Sequence, residues 1–415
     1  MCNRALANTT HTVRVVWGAV IMARVVIAGA GYGGVMAGKR LERAEQAFTM
    51  VNKHSYHQFI TWLHEAAGGR HTVDDYKIEI REIFRRPSTI VVKDEIIGMN
   101  REAREVKGRQ NSYPYDYAII ALGSAPEFFG IPGLAEHSMQ LRSVETARQI
   151  RSHIERQFAT YKADGDRARL RIVIGGAGLT GIEFAGELIE WLPNLCKHSG
   201  IDPGLAEIQN LEAAPVILPA LSENLQSKAR SVLENKGVRI RTGTKIVKVE
   251  KHRVHLESGE VIASRTVVWT GGVRANPLLS FAGFTCDERG RAKVNEFLQS
   301  IDDERVFIIG DCAAFVSARK PLPPTAQLAV QMGEIAGVNV LAAIRGQALQ
   351  TFHPKILGTL ASLGRDVGVG VVAGMPASGT VAAIAKELTK VKYLIQLGGL
   401  RMVSRNKRPL AREQY

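Results

Sequence analysis

The feature that most constrains the fold is a pair of glycine-rich loops, each of which follows a short run of β-branched residues. The first lies within residues 24–34 (RVVIAGAGYGG) and the second within residues 171–181 (RIVIGGAGLTG). Both loops share one spacing: Gly29, Gly31 and Gly34 in the first, and Gly176, Gly178 and Gly181 in the second. The first glycine of such a loop permits a tight turn, the second lets a pyrophosphate approach the backbone, and the third lets a helix pack on a strand. The loops predict two bound dinucleotides, and FAD with NAD(P)H is the obvious pair.

The glycine spacing indicates nucleotide binding because it occurs twice and in the expected strand-to-helix context. With 40 glycines in 415 residues, one match would arise by chance about 0.4 times. Each match here is followed by a helix-like pattern, at 35–41 and at 182–191. The alternative is a pair of ordinary strand-to-helix turns, and the context favours nucleotide sites.

Each glycine loop and its helix are followed by a second strand, and the residue that ends this strand indicates which nucleotide is bound. The strand at 207–212 ends in Glu212, and a carboxylate there can accept both hydroxyls of a ribose and would repel a 2′-phosphate. Glu212 therefore predicts NADH over NADPH. The strand at 47–52 ends instead in Asn52, whose amide can still bind a ribose but departs from the usual acidic pattern.

Composition limits the partners. Hydrophobic content of 45% with 23% charged residues is ordinary for a globular protein, whereas a net charge of +14 implies an anionic partner: dinucleotides, an acidic lipid surface or nucleic acid. The four cysteines form no C-x-x-C motif, which suits a reducing compartment and argues against a dithiol reductase. They are Cys2, Cys196, Cys286 and Cys312. No metal site is predicted.

No window approaches the ~20 apolar residues needed to cross a bilayer. Residues 1–21 carry Arg4 and Arg14, no acidic residue and a short apolar patch. They are a targeting segment or, as we prefer, a disordered extension upstream of a true start at Met22.

The order of the patterns predicts an FAD domain interrupted by an NAD domain. A stretch after residue 52 is expected to be rich in helix, and a hairpin is expected to turn at 257–260. The fold class is predicted as α/β, with two Rossmann-like dinucleotide-binding domains and a C-terminal module. The boundaries are an FAD domain at 22–133 and 291–350, an NADH domain at 134–290 and a C-terminal module at 351–415.

Two further patterns point to cofactor and substrate. A buried strand at 306–309 ends in Gly310 and Asp311, where a carboxylate can accept from a ribityl hydroxyl of FAD. Thr325 can cap a helix in which Gln327 and Gln331 share a face. Two amides beside small residues suit a ring with carbonyl oxygens, such as a quinone, but from spacing alone two solvated glutamines would be the better interpretation.

Charged residues elsewhere have ordinary interpretations. Glu183 follows the second loop and either points toward the nicotinamide or serves as a carboxylate at a helix N-terminus. For the run at 62–65 (WLHE), core packing with exposed charges is the favoured interpretation.

The C-terminal segment has an amphipathic pattern. An apolar stripe recurs at helical spacing, with Lys386 and Lys390 placed opposite it. The stripe comprises Val381, Ile384, Leu388, Val391 and Ile395. With eight basic and two acidic residues from 381 to 415, the segment is either a monotopic anchor on anionic lipid or a helix that docks on the protein's own core.

Together, the motifs resemble those of the type II NADH dehydrogenases, which are single-chain, non-pumping NADH:quinone oxidoreductases, and most of all the bacterial members. The resemblance runs from about residue 23 to 400. It rests on GAGYGGVMAGKRL, VNKHSYHQF, TWLHEAAGG, GGAGLTGIEFAGEL, EAAPVILP, VVWTGGVRANP, FIIGDCA, PPTAQLAVQ and GTLASLG.

The resemblance implies a role for each matching position. The pyrophosphate of FAD would be held by Gly29, Gly31, Gly33 and Gly34, and its adenosine side by Asn52 and Lys53. The ribityl chain would be held by Gly123, Gly310 and Asp311. The isoalloxazine would contact Ala326 and Gln327. NADH would be held by Gly176, Gly178, Thr180, Gly181 and Glu212, with Glu183 near the nicotinamide. Gln331 would lie beside the quinone, so the predicted catalytic residues are Glu183, Gln327 and Gln331.

The same resemblance implies two-electron transfer from NADH through FAD to a membrane quinone, by a homodimer bound peripherally to the cytoplasmic side of the cell membrane. A sulfide:quinone oxidoreductase is the nearest alternative, but the cysteines stand in unsuitable contexts. A basic flavoprotein that binds nucleic acid is the other. We expect no nucleic-acid partner because the basic residues concentrate beside an apolar stripe and there is no aromatic platform for bases.

Overall fold

The computed structural model describes residues 23–317 and 320–406. The predicted extension at 1–21 and the end of the basic tail therefore lie outside the described residues. The helices of the described part are α1 (Tyr32–Arg43), α2 (Leu63–Ala67), α3 (Ile80–Ile83), α4 (Leu134–His137), α5 (Val144–Asp164), α6 (Leu179–Ser199), α7 (Glu223–Asn235), α8 (Leu278–Phe281), α9 (Ala326–Ile344) and α10 (Thr380–Arg405).

The strands follow in chain order. They are β1 (Val25–Ala28), β2 (Phe48–Asn52), β3 (Tyr56–Gln58), β4 (Lys77–Glu79), β5 (Thr89–Lys93), β6 (Ile96–Asn100), β7 (Glu105–Gly108), β8 (Ser112–Pro114), β9 (Tyr117–Ile120), β10 (Ser124–Pro126), β11 (Met139–Gln140), β12 (Arg171–Gly175), β13 (Glu207–Leu211), β14 (Val238–Arg241), β15 (Ile246–Glu250), β16 (Arg253–Leu256), β17 (Val261–Ala263), β18 (Thr266–Trp269), β19 (Val273–Ala275), β20 (Ala292–Lys293), β21 (Gln299–Ser300), β22 (Asp303–Ile308), β23 (Ala313–Ala314), β24 (Val316–Ser317), β25 (Lys320–Pro321), β26 (Gly358–Ser362), β27 (Gly368–Val372) and β28 (Met375–Gly379).

The first large sheet has the order β21-β22-β9-β1-β2-β5. Strand β1 is central, pairs in parallel with β2 and β9, and is buried along its whole length. Continuous apolar strands of this kind are typical of a parallel sheet covered on both faces. Strands β9 and β22, which are far apart in the sequence, lie side by side here.

The second large sheet has the order β11-β18-β12-β13-β14 and is parallel throughout. A three-stranded antiparallel sheet, β15-β16-β17, adjoins it. The predicted hairpin turn at 257–260 is confirmed, because β16 pairs antiparallel with β17 across it. The paired strands β10 and β19 form the ribbon where the chain passes between the two large sheets. The α/β fold with two Rossmann-like units is as predicted.

The stretch after residue 52 differs from its prediction. We expected a region rich in helix, but between β2 and β9 the described chain has only the short α-helices α2 and α3 and two short 3-10 helices among strands β3 to β8. These strands are three to five residues long, too short for a clear alternating pattern. Their pairing depends on partners distant in sequence.

Helix α9 is the core helix beneath the first glycine loop. Its 19 residues have a mean hydropathy of 1.3, which is apolar enough to cross a membrane, contrary to the expectation from the sequence. However, it packs along α1, and a side chain at Gly333 would overlap the carbonyl oxygen of Gly33. Its apolar composition is therefore explained by burial against α1.

The C-terminal module is a three-stranded antiparallel sheet, β26-β27-β28, followed by α10. Helix α10 packs on this sheet and breaks at Gly398 and Gly399, where Gly399 has φ +69°. The predicted apolar stripe is present, but it faces outward: Val381, Ile384, Leu388 and Ile395 are exposed.

Candidate active site

The first glycine loop connects β1 to α1 and leaves a helix N-terminus open. Gly29 has φ +101°, and a side chain there would lie 2.5 Å from the carbonyl oxygen of Ala121. A side chain at Gly34 would overlap the backbone of Gly29, whereas one at Gly31 would meet nothing closer than the carbonyl oxygen of Ala121 at 4.0 Å. No described side chain caps α1 at Gly31. The backbone N–H groups of its first turn are thus available to an anion, and the loop fits the pyrophosphate of FAD.

The second loop repeats this construction between β12 and α6. Gly176 has φ +104°, a side chain at Gly181 would overlap its carbonyl oxygen, and Gly178 faces open space. Within the described chain no side chain caps α6 at Gly178, and Thr180 lies exposed in its first turn. By contrast, α5 and α9 are capped by Ser143 and Thr325, the latter as predicted. In the described chain, helices α7 and α10 also begin without a side-chain cap, so what distinguishes the two loops is an open N-terminus combined with closely packed glycines.

Asn52 and Glu212 support their loops in the same way. The Ala30 N–H donates to Asn52 Oδ1 at 3.0 Å, and the Ala177 N–H donates to Glu212 Oε2 at 2.7 Å. Both side chains thus lie beside the loop that we predicted them to serve. Lys53, in contrast, lies at the surface, where its ammonium group pairs with Glu95 at 2.9 Å. Their contacts with nucleotides stay predictions.

Gly123, Gly310 and Asp311 meet at the adjoining ends of β9 and β22. Both glycines have positive φ, at +70° and +65°. Asp311 Oδ2 accepts from Ser124 Oγ at 2.9 Å, and burial raises the pKa of this carboxyl. Gly33 lies close by, since a side chain there would lie 3.0 Å from Ile309. The structure therefore brings together the residues predicted for the ribityl chain.

Gln327 and Gln331 have a role that spacing did not predict. The Gln327 amide donates to Gly358 O and accepts from Leu357 N, each at 3.0 Å. The Gln331 amide likewise donates to Lys355 O and accepts from Lys355 N, each at 2.9 Å. The two amides are therefore neither solvated nor free donors, because they hold segment 355–358 against α9 beside Ala326.

Glu183 is buried at the junction of three modules. It accepts from Ser362 N at 3.1 Å, contacts the ammonium group of Lys386 and lies 3.5 Å from His64 Nδ1. It is therefore more than a carboxylate placed for the helix dipole. Burial lowers the pKa of Lys386 to about 7, although the nearby charge of Glu65 opposes that shift.

Glu183 belongs to a larger set of buried charges, which we call the buried charge cluster. Its members lie on α2 and the loop that follows it, on α6 and on α10: His64, Glu65, Arg70, Glu183, Glu187, Lys386 and Lys390. The interpretation of residues 62–65 as core packing with exposed charges is wrong for the charges. Lys386 and Lys390 do lie opposite the apolar stripe, and both are buried. These charges are buried because each has an opposite partner within reach.

The cluster shifts several pKa values. Burial raises the pKa of Glu187 to about 7, although Arg70 opposes the shift. For Glu65, burial favours the neutral form, but Lys390 and Arg70 outweigh it and hold the pKa well below its usual range. Burial, followed by Lys386, lowers the pKa of His64. The cluster therefore combines groups of different proton affinity beside Glu183.

Sequence reasoning missed the carboxylates that follow Glu183 on α6. Glu187 bonds to Arg70, and Glu190 bonds to Lys236 at 2.6 Å and to the backbone of Arg365 at 2.9 Å. Glu183, Glu187 and Glu190 follow at helical spacing, so they share one face. That spacing was the available signal for a charged interface.

Comparisons with known proteins agree with this architecture. Residues 23–333 match the family model for pyridine nucleotide-disulphide oxidoreductases. A curated type II NADH:quinone oxidoreductase from Staphylococcus aureus is 37% identical over 390 residues, which cover 91% of this chain and 96% of that protein.

Solved structures show the same fold. NDH2 from Plasmodium falciparum, determined in complex with NADH, has a TM-score of 0.83 at 17% identity, covering 94% of this chain and 97% of its own. The sulfide:quinone oxidoreductase of Aquifex aeolicus has a TM-score of 0.73 at 16% identity, covering 90% of this chain and 91% of its own. At such identities the likeness concerns the fold alone.

Proposed function

Because the chain belongs to the type II NADH:quinone oxidoreductases, within the pyridine nucleotide-disulphide oxidoreductases, we propose that it oxidises NADH and reduces a membrane quinone by way of bound FAD, without pumping protons. The observation that carries this proposal is the pair of glycine loops, each ending at an open helix N-terminus. One such site would serve a single nucleotide, whereas two such sites in one chain suit electron transfer between two nucleotides.

The first loop is proposed to hold FAD. The N–H groups at the start of α1 would bind its pyrophosphate, with Gly29, Gly31, Gly33 and Gly34 allowing close approach. Asn52 and Lys53 would serve the adenosine side, and Gly123, Gly310 and Asp311 the ribityl chain. Ala326 and Gln327 would lie at the isoalloxazine. When bound, FAD supplies the two-electron chemistry that amino-acid side chains lack.

The second loop is proposed to hold NADH. Gly176, Gly178, Thr180 and Gly181 would receive its pyrophosphate at the start of α6. Glu212 keeps one oxygen on Ala177 N and the other on Ala214 N, and its remaining lone pairs suit the ribose hydroxyls. Its charge would repel the 2′-phosphate of NADPH.

Glu183 is proposed to hold a proton for quinone reduction, which consumes two. Its contacts with Lys386 and His64 provide two neighbours with which a proton can be exchanged. We place the quinone beside Gln327 and Gln331. The segment held by their amides exposes Ile356 and Leu357, which suit an apolar ring and tail.

The protein is further proposed to bind the cytoplasmic side of the cell membrane peripherally, as a homodimer. Support for binding comes from the exposed apolar face of α10, and Met375 on β28 is exposed as well. Lys392 and Arg401 are exposed on the same helix and suit anionic headgroups. The homodimer rests on the family resemblance. No nucleic-acid partner is proposed.

Flavin absorbance under anaerobic conditions tests the proposal. NADH, but hardly NADPH, is expected to bleach the purified protein, and a short-chain quinone is expected to restore the absorbance. Bleaching that quinone does not reverse would keep both nucleotide sites and overturn the quinone assignment. Protein that purifies without flavin, and binds none when FAD is added, would overturn the proposal altogether.

A further inference from the structure

A buried imidazole joins the first glycine loop to the C-terminal helix. His57 lies on β3 and is 1% exposed. Its Nδ1 atom lies 2.8 Å from the carbonyl oxygen of Ala30, the residue between Gly29 and Gly31. Its Nε2 atom lies 3.0 Å from the hydroxyl oxygen of Tyr393 on α10. The three groups form one continuous chain of hydrogen bonds.

The chemistry of these groups fixes the direction of both bonds. A carbonyl oxygen only accepts, so His57 Nδ1 carries the proton and donates to Ala30. Nε2 of the neutral ring then accepts, and the Tyr393 hydroxyl donates to it. Burial lowers the pKa of His57 to about 4 and raises that of Tyr393 well above its usual range, so both groups are neutral at physiological pH.

The bond to Ala30 orients the loop. In a planar trans peptide, the carbonyl of Ala30 and the N–H of Gly31 point in opposite directions. Holding the carbonyl toward His57 therefore turns the Gly31 N–H toward the other side of the loop. Asn52 holds the N–H of Ala30, so the backbone is fixed on both sides of this residue.

The second loop provides an internal comparison. The carbonyl of Ala177, which occupies the place of Ala30, accepts from the backbone N–H of Leu218 at 2.9 Å. That bond comes from the same nucleotide-binding unit. In the first loop, the equivalent bond comes from a side chain that Tyr393 holds in place from the C-terminal module.

We propose that His57 is a positioning residue for FAD, and that Tyr393, acting through His57, makes FAD binding depend on the seating of α10. This inference rests on the proposed function, because it presumes FAD in the first loop. It requires no contact between the C-terminal helix and FAD.

The test measures the rate at which FAD leaves the holoenzyme after dilution, from the rise in flavin fluorescence. Loss of one buried hydrogen bond corresponds to about a 5- to 10-fold faster release, which we expect for Tyr393→Phe. The matched control is Tyr113→Phe, which removes a buried hydroxyl bonded to Asp94 at 2.7 Å elsewhere in the same region. The control is expected to release FAD at the wild-type rate.

Two variants of His57 separate positioning from general stability. His57→Phe loses both bonds, and adding Tyr393→Phe should produce no further effect because Tyr393 acts through the imidazole. His57→Asn keeps a donor near the place of Nδ1, so it should retain FAD better than His57→Phe and be insensitive to Tyr393→Phe. NADH affinity should stay unchanged in all of them.

Equal release rates for Tyr393→Phe and wild type would overturn the inference, as would equal acceleration by Tyr113→Phe. If Tyr393→Phe does not fold, the comparison of His57→Asn with His57→Phe decides: equally fast release from both overturns the inference. Wild-type protein that binds no FAD is a different result, because it defeats the proposed function itself.

Discussion

Lys390 Nζ lies 2.6 Å from Glu65 Oε1, and each of the two residues is 1% exposed although 325 positions separate them. One helical turn earlier, Lys386 contacts Glu183. Residues four apart on a helix share a face, so these two ion pairs fix which side of α10 meets the protein. The apolar stripe is consequently turned outward.

Removing one partner of the Lys390–Glu65 pair should destabilise the protein strongly. Lys390→Met would leave Glu65 buried with Arg70 as its nearest cation, 3.8 Å away. We expect the free energy of unfolding, measured in urea, to fall by about 3 kcal/mol. Lys392→Met, on the exposed side of α10, should change it by less than about 0.5 kcal/mol.

The double variant Lys390→Met with Glu65→Gln separates charge burial from packing. Neutralising Glu65 removes the uncompensated charge, so part of the lost stability should return. A double variant no more stable than Lys390→Met alone would contradict this account of the pair.

Local features of the fold were predictable, and contacts between distant segments were not. The glycine loops and the strand ends at Asn52 and Glu212 depend on short-range spacing, which the sequence displays directly. The periodicity of α10 revealed two different faces but not which of them is buried. That depended on Glu65 and Glu183, which lie far away along the chain. Gln327 and Gln331 likewise bond to a segment that no helical spacing could identify.

Glu183→Gln should slow quinone reduction while FAD stays bound. The amide keeps the size of the side chain but cannot exchange a proton in the same way, and such losses lower rates by about 100-fold or more. Stopped-flow absorbance would separate flavin reduction by NADH from reoxidation by quinone. Glu190→Gln is the matched control, two turns away on the same helix and paired with Lys236. Unchanged turnover in Glu183→Gln would reject the proton role.

Glu212→Gln should weaken the discrimination against NADPH. Its amide oxygen can still accept from Ala177 N, so this support of the loop is kept, while the negative charge and the bond from Ala214 N are lost. We expect the ratio of kcat/KM for NADPH to that for NADH to rise about 10-fold, equivalent to about 1.4 kcal/mol. Glu207→Gln, at the start of β13, the strand that Glu212 follows, should leave the ratio unchanged. An unaltered ratio in Glu212→Gln would mean that another residue sets the preference.

The exposed face of α10 should mediate membrane binding. Leu388 is 60% exposed, and burying a leucine in lipid contributes about 1.5–3 kcal/mol. Leu388→Glu should therefore reduce binding to vesicles containing phosphatidylglycerol by at least about 10-fold. Ile97→Glu alters an exposed residue on β6 and serves as the control. Binding of wild type to duplex DNA but not to vesicles, at ~150 mM salt, would support the nucleic-acid alternative.

Acid should destabilise the protein partly through His57. Its pKa in the folded state is about 4, below the usual value of 6.5 for the unfolded chain. The unfolded state therefore binds more protons between these values. The stability contributed by neutral His57 is complete above pH 6.5 and is lost as the pH falls toward 4, at up to about 1.4 kcal/mol per pH unit.

The variant His57→Asn isolates the part of the acid sensitivity that comes from His57. Tyr32 of α1 and Tyr393 of α10 face the imidazole, and burial raises the pKa of both hydroxyls, so neither titrates in this range. His64 is also buried with a lowered pKa, so the variant should retain some acid sensitivity. Urea unfolding between pH 4.5 and 7.5 should show a shallower decline for His57→Asn than for wild type. Parallel profiles would mean that His57 does not bind its proton differently in the folded and unfolded states.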